Sequence, residues 1–570
     1  MKRTREELLT LKNQDNKVMK TIVHSARRSA IFTIAILFLT ATCQLHGQTI
    51  TYSYYYRVYL KDKGENKPEN FEPSDLLSSR AIERRNKAGI IVPDFRDLPV
   101  YEGYLNKISS NGFELHCTSK WMNTALFKTQ SKADVKILQD LPFVSDVKIV
   151  KVPGIKGRFN DKLDFITEQV DLPPFDRPLT MVNGYALHNS GFDGKNVLIA
   201  VLDGGFLNSD RISSINELRS RKGIIATYDF VNNNDFVYNS STHGTAVLSV
   251  LSGKIPGSIA GTAPGADYLL LKTEDVLSEF PSEEDFWAAG AEYADSAGAD
   301  IISSSLGYYN FDDPALNYKY SDLDGNTAFV TRVADIAASK GIIVVTSAGN
   351  ERNKDWKRII FPSDGDSVIS VGAVDGYNNI AAFSSAGPSA DRRIKPDNVT
   401  MGVSVPVQIS ENSVTRSNGT SFSCPVLSGM AASLLQAVPR ALNSDIIEVL
   451  HLSADRYTSP DSLYGYGIPD LAVALTRLQD KYIKVPDEET IVYPNPTTGD
   501  FEIIFREPPE QITIEIVSLT GKLIFREKFP EYSGRTIRIT ELQSREQGMY
   551  FIRLTTGTGT MVQKIIKLKD

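Results

Sequence analysis

The stretch Ser417-Asn418-Gly419-Thr420-Ser421-Phe422-Ser423-Cys424-Pro425-Val426-Leu427-Ser428-Gly429 decides how this 570-residue chain is read. From Phe422 onward, apolar side chains return at Val426, Met430 and Leu434, with a second row at Leu427, Ala431 and Leu435. That is helical spacing. Pro425 is expected in the first turn, where backbone N–H groups have no intrahelical acceptor and losing one costs little. Pro439 ends the run. The pattern predicts a buried helix with Ser421 at its amino-terminal mouth, where free N–H groups and the helix dipole favour negative charge. A serine there is an ordinary N-cap. It is also where an attacking alkoxide, and an oxyanion beside it, would be stabilised. The company it keeps elsewhere in the chain decides between the two.

Upstream, residues 197–202, 268–271, 301–306, 342–346 and 368–374 are short apolar runs, the first almost wholly aliphatic as a strand covered on both faces should be. Helical segments lie between them. One covers residues 282–297, with Ser282 and Asp285 spaced as a capping box. Another covers 327–340 and stops at Gly341. Alternating strands and helices predict an α/β fold built on a doubly wound, mainly parallel sheet, with ligands beyond the carboxyl ends of its strands. Polar residues do follow those ends: Asp203-Gly204-Gly205, then Ser303-Ser304-Ser305-Leu306-Gly307, then Ser347-Ala348-Gly349-Asn350. Each alone reads as a polar turn. A fourth piece, Ser241-Thr242-His243-Gly244-Thr245, opens an apolar run of helical type.

Together, Val201-Leu202-Asp203-Gly204-Gly205, His243-Gly244-Thr245, Ala348-Gly349-Asn350 and Gly419-Thr420-Ser421 resemble the motif set of the subtilisin-like serine peptidases. The order acid, histidine, serine is that family's order. The resemblance covers most of residues 197–467 and implies a serine endopeptidase that hydrolyses peptide bonds through an acyl-enzyme. Serine is a poor nucleophile near neutral pH, so Ser421 needs a base. His243 is expected to be that base, held in one tautomer and countered in charge by Asp203. The Asn350 amide and the Ser421 N–H are expected to hold the oxyanion. Ser303, Ser304, Ser305, Leu306 and Gly307, facing Ala348 and Gly349, are expected to wall the pocket for the residue before the scissile bond. The first of these segments is also expected to pair with the substrate backbone. The alternative is a non-catalytic binding protein on a peptidase scaffold, which a broken triad or blocked cleft would betray.

Two features depart from the pattern. Cys424 stands where a small residue is usual and is expected to pack inside the helix, since no motif pairs it with a base. Residues 308–326 form an acidic, tyrosine-bearing insertion beside the substrate strand, expected to face substrate. Within it, Asp322-Leu323-Asp324-Gly325-Asn326 hints at calcium but lacks the alternating ligands of an EF-hand, so a turn is expected and no metal or other cofactor is assigned.

Three further segments flank this region. Residues 30–39, behind Arg27 and Arg28, are an apolar run too short to span a bilayer; residues 1–48 fit a secretory signal peptide, with translation expected to start at Met19. Residues 49–155 read as a small α+β unit. Its "LSSRAIERR" stretch resembles the pro-region of Bacteroidetes subtilisin-like peptidases, which implies an intramolecular chaperone and inhibitor. The wound-sheet domain is expected over 156–481. Residues 490–570 carry alternating strand runs and predict a small β-sandwich. Their "YPNPTTGDFEI", "GMYFIRL" and "KIIKLK" resemble the C-terminal sorting domain of type IX secretion. The expected partners are polypeptide substrates, the chain's own pro-region and that secretion machinery, with export through the periplasm to the cell exterior. A net charge of -7 argues against a nucleic-acid partner. The three cysteines, Cys43, Cys117 and Cys424, form no disulfide framework or metal spacing.

Overall fold

The computed structural model describes residues 53–154, 173–482, 490–532, 534–557 and 559–568. The expected leader, the junction that follows residue 154 and the charged link Asp487-Glu488-Glu489 lie outside the described residues.

The amino-terminal unit is an antiparallel sheet of β1 (Tyr54–Leu60), β2 (Glu114–Ser119), β3 (Thr124–Thr129) and β4 (Val144–Lys151), in the order β2-β3-β1-β4. Helices α1 (Ser79–Lys87) and α2 (Glu102–Ser109) accompany it. Ser78 caps α1 by accepting the Ala81 N–H. Tyr56, Val58, Ile108, Phe113, Phe127 and Leu138 form its own small core.

The central unit is a seven-stranded sheet, parallel throughout. Its strands are β5 (Leu198–Asp203), β6 (Ile224–Asp229), β7 (Asp267–Lys272), β8 (Ile301–Ser304), β9 (Ile343–Ser347), β10 (Val368–Val374) and β11 (Asn398–Met401). Their spatial order is β11-β10-β9-β8-β5-β7-β6. Helices α3 (His243–Ser252) and α6 (Thr420–Ala437) cover one face; α4 (Ser282–Ala297) and α5 (Phe329–Ser339) cover the other. The reason β5 is aliphatic at every position is visible in its alternation. Ile199 and Val201 pack into the α3/α6 core, while Leu198, Ala200 and Leu202 pack into the α4/α5 core. Each such side chain fully buried contributes about 1.5–3 kcal/mol. The carboxyl-terminal unit is a sandwich of two antiparallel sheets, of three and four strands, that share the core of Ile503, Ile514, Ile516, Ile552 and Leu554.

Three expectations need correction. The two outermost strands, β6 and β11, were not expected, because partly exposed or polar positions such as Thr227, Asn398 and Thr400 break the apolar run. Pro425 is the sixth residue of α6, beyond the first turn. Its ring leaves the Ser421 carbonyl without the N–H that would normally bond it; the Ser305 hydroxyl fills that place at 2.8 Å. The Ser282/Asp285 capping box does not form: Pro281 occupies the N-cap of α4. Asp285 instead pairs with Arg57 on β1 at 2.7 Å, and Glu283 accepts the N–H groups of Asp275 and Phe280.

Candidate active site

Asp203 is the last residue of β5 and fully buried. Its Oδ1 accepts the Gly204 N–H at 2.7 Å, which fixes the carboxylate. His243 is the first residue of α3, with its own N–H donating to the Ser241 hydroxyl. The next residue explains how α3 comes so close to the strand end. A β-carbon on Gly244 would lie 2.5 Å from the Gly205 carbonyl oxygen and 3.0 Å from Asp203 Cβ. That close approach puts His243 Nδ1 at 2.9 and 3.0 Å from the two Asp203 oxygens. A carboxylate on Nδ1 holds the proton there, so Nε2 presents its lone pair on the other side.

Ser421 is the second residue of α6 and 8% exposed. It is tied twice to Ser305: its carbonyl accepts the Ser305 hydroxyl, and its own hydroxyl faces the Ser305 carbonyl at 3.4 Å. Phe422, next in the helix, packs its ring against the His243 imidazole with centroids 6.0 Å apart. His243, Ser421 and Asn350 line one cleft of about 420 Å³.

Asn350 follows Gly349, which adopts φ of +105°. The Asn350 Oδ1 accepts both the Thr420 N–H, at 2.9 Å, and the Thr420 hydroxyl, at 3.0 Å. A backbone N–H can only donate, so the amide oxygen faces the helix and the NH₂ group is turned from it. Thr420 also accepts the Gly349 N–H at 3.2 Å. The threonine of the Gly-Thr-Ser run thereby orients the amide, a role its sequence motif did not announce.

The expected pocket walls divide. Ser305, Leu306, Gly307 and Gly349 line the cleft, as do Ser347 and Asn350. Ser303, Ser304 and Ala348 do not line it; all three are fully buried. The Ser303 hydroxyl accepts from Ser428 on α6 at 2.9 Å. The Ser304 hydroxyl accepts from the Trp287 indole on α4 at 2.9 Å. These two serines sit within β8 and point to opposite faces of the sheet, so they support the floor; only from Ser305 does the chain leave the sheet and border the cleft.

Cys424 is fully buried, its sulfur near the Ser304 and Val345 carbonyls, and burial pushes its thiol up to about 11. Of the insertion, Tyr309, Asn310 and Asp312 line the cleft. Asp312 is laced to the opposite wall, where its carboxylate accepts the Glu279 N–H at 2.9 Å. The Asp322–Asn326 stretch turns on Asp324, which accepts the N–H groups of Asn326 and Thr327 and the Thr327 hydroxyl, each at 2.8 Å.

Comparison with known proteins agrees with this architecture. The subtilase family model matches residues 194–467, a Bacteroidota peptidase S8 propeptide domain matches 55–162, and a secretion system C-terminal sorting domain matches 491–568. Subtilisin E of Bacillus subtilis is 30% identical over 373 residues, covering 64% of this chain and 84% of the relative. Subtilisin of Bacillus pumilus is 32% identical over 302 residues, covering 52% and 97%. Serine protease AprX of Bacillus subtilis is 29% identical over 304 residues, covering 48% and 65%.

Proposed function

Because this chain belongs to the subtilisin family, and is a secreted serine peptidase with a propeptide domain and a sorting tail, we propose that it is an endopeptidase whose catalytic residues are Asp203, His243 and Ser421. The observation that carries this reading is the buried Asp203–His243 pair, at 2.9 and 3.0 Å, with His243 on the same cleft as Ser421 and Asn350. In the proposed reaction the Ser421 hydroxyl attacks the scissile carbonyl carbon while His243 Nε2 takes its proton. Asp203 keeps the Nδ1 proton in place and stabilises the imidazolium. The new oxyanion receives the Asn350 NH₂ and the Ser421 N–H at the mouth of α6. His243 then returns the proton to the leaving amine, which leaves an acyl-enzyme on Ser421, and water reverses the sequence. Every group in this scheme comes from the chain itself, and no cofactor is assigned a step.

The substrate is a polypeptide whose acyl residue lies between Ser305, Leu306 and Gly307 on one side and Gly349 on the other. Residues 49–155 act as a pro-region that guides folding and blocks the cleft until it is cut. Residues 156–481 form the catalytic domain and residues 490–570 the sorting domain. Two variants test the reading. Ser421→Ala should abolish casein hydrolysis and self-processing by intact mass. Asn350→Asp keeps an acceptor for Thr420 but removes the donor. It should lower turnover on the order of 10²–10³, the loss known for one such donor in subtilisin, with little change in KM. Full hydrolysis by Ser421→Ala would overturn the assignment.

A further inference from the structure

The two cleft walls do not enclose an open slot, because Ile360 stands between them. Its backbone is laced to both. The Ile360 N–H donates to the Ala348 carbonyl at 3.1 Å. The next residue, Phe361, exchanges two backbone hydrogen bonds with Tyr308, at 2.9 and 3.1 Å, directly after Gly307. The segment cannot slide without breaking contacts on both sides. Its side chain fills the gap: a β-carbon on Gly307 would lie 2.3 Å from Ile360 Cδ1, and one on Gly349 would lie 2.9 Å from Ile360 Cγ1. Both glycines expose bare backbone to the same isoleucine, which is 8% exposed and borders the cleft. A β-branched side chain is stiff about χ1, so a substrate side chain cannot easily push it aside.

We propose that Ile360 sets the specificity of this peptidase by shortening the pocket for the residue before the scissile bond. This rests on the catalytic reading above. The substrates are peptides with a small, uncharged residue at that position, such as alanine, serine or valine; phenylalanine, tyrosine, lysine and arginine are too long. The neighbouring carboxylate does not turn the pocket toward bases. Glu351 already receives the Tyr309 hydroxyl and the Lys354 ammonium, the latter at 3.0 Å. The Tyr309 ring is in turn stacked on Trp356 at 4.8 Å, which holds that wall closed.

The test uses the enzyme expressed as the whole chain and allowed to process itself, with a set of chromogenic peptides differing only in the residue before the cleaved bond. Wild type should hydrolyse the alanine substrate at least tenfold better, in kcat/KM, than the phenylalanine or lysine substrate. Each methylene a pocket admits or refuses is worth roughly 10–200-fold. Ile360→Ala should raise kcat/KM for phenylalanine by 10-fold or more and leave alanine within about threefold. Ile360→Val, which removes one carbon and preserves the fold, should shift the ratio the same way by less. A wild-type preference for phenylalanine or lysine, or an unchanged ratio in both variants, overturns the proposal. Stoichiometric labelling of Ser421 by a fluorophosphonate separates the two readings. Labelling with an unchanged ratio sinks only the role of Ile360, whereas no labelling and no hydrolysis sinks the catalytic assignment and this proposal with it.

Discussion

Three residues past the serine, Cys424 is a nucleophile by element but not by setting. It is fully buried, and its thiol, pushed up to about 11 by burial, is neutral at ordinary pH. The thiolate is the reactive form. The expected outcome is that iodoacetamide at pH 8 leaves Cys424 unmodified in the native protein and modifies it fully once the chain is unfolded in denaturant, as read by peptide mass mapping. Ser421 differs because it lines the cleft at the amino-terminal mouth of the same helix, a cleft that His243, paired with Asp203, also borders. Ser305 is the companion case. It satisfies the carbonyl that Pro425 orphans, a group whose loss of partner would cost about 1–3 kcal/mol.

Among the elements, α3 and β5 form the pair that brings His243 onto Asp203. Gly244 has no β-carbon, and this lets the first turn of α3 touch the loop after Asp203. Gly244→Ala should push α3 outward and lengthen the contact between His243 and Asp203. A displacement of about 1 Å costs on the order of 10²-fold in rate, and overpacking costs about 1–3 kcal/mol. Steady-state turnover and thermal unfolding, measured together, check this: activity should fall far more than the folded fraction at assay temperature. Unchanged turnover would show that the approach of α3 is not limiting. A similar close fit joins α6 to the rest of the core, since a β-carbon on Gly429 would lie 2.1 Å from the Thr262 hydroxyl.

At the scale of the molecule, the amino-terminal unit docks on α4 through buried charge. Asp285, Glu292 and Asp295 fall on one side of that helix. Arg57 takes Asp285, at 2.7 Å; Arg84 and Arg85 both take Asp295, and Arg85 also takes Asp97, at 2.6 Å. Glu292 accepts the Lys120 and Trp121 N–H groups at 2.9 and 3.0 Å. Removing one member of a buried network strands its partners, at about 3–5 kcal/mol. Asp295→Ala, made in a Ser421→Ala chain to prevent self-cleavage, should therefore loosen residues 53–154 and make them the first segment cut by trypsin. Unchanged protection would mean that this network does not hold the unit in place. His116 adds a pH dependence. It is buried against Phe286, with Nε2 on the Phe230 carbonyl at 3.0 Å, and burial holds its pKa below 6.5. A depressed histidine contributes fully above its ordinary value, and its contribution is lost as the pH falls below 6.5 toward the lower, docked value. Docking should thus weaken on going from pH 7.5 to 5.5, and His116→Gln should flatten the change; tryptic protection across that range measures both. The carboxyl-terminal unit, by contrast, touches the central one through polar contacts such as Gln479 to Thr536, at 2.7 Å, and Arg535 to Asp480, at 2.9 Å.

Much of this was legible in the residues themselves. The inner strands of the sheet declared themselves because burial on both faces demands unbroken aliphatic runs. Asp203, His243, Ser421 and Asn350 could be picked out as candidates because strand ends and a helix mouth are where such groups can meet. What the chain could not announce locally was everything fixed between distant segments. Ser303 and Ser304 looked like pocket residues until the sheet placed them inside it, with Ser305 the first to leave. Asp285 resembled a cap until Arg57, 228 positions away, claimed it. Ile360 carried no signal at all, since its meaning comes from two glycines in other segments that present it with bare backbone. Local pattern reports which face of an element is buried; which side chain then meets which is settled only when the elements pack.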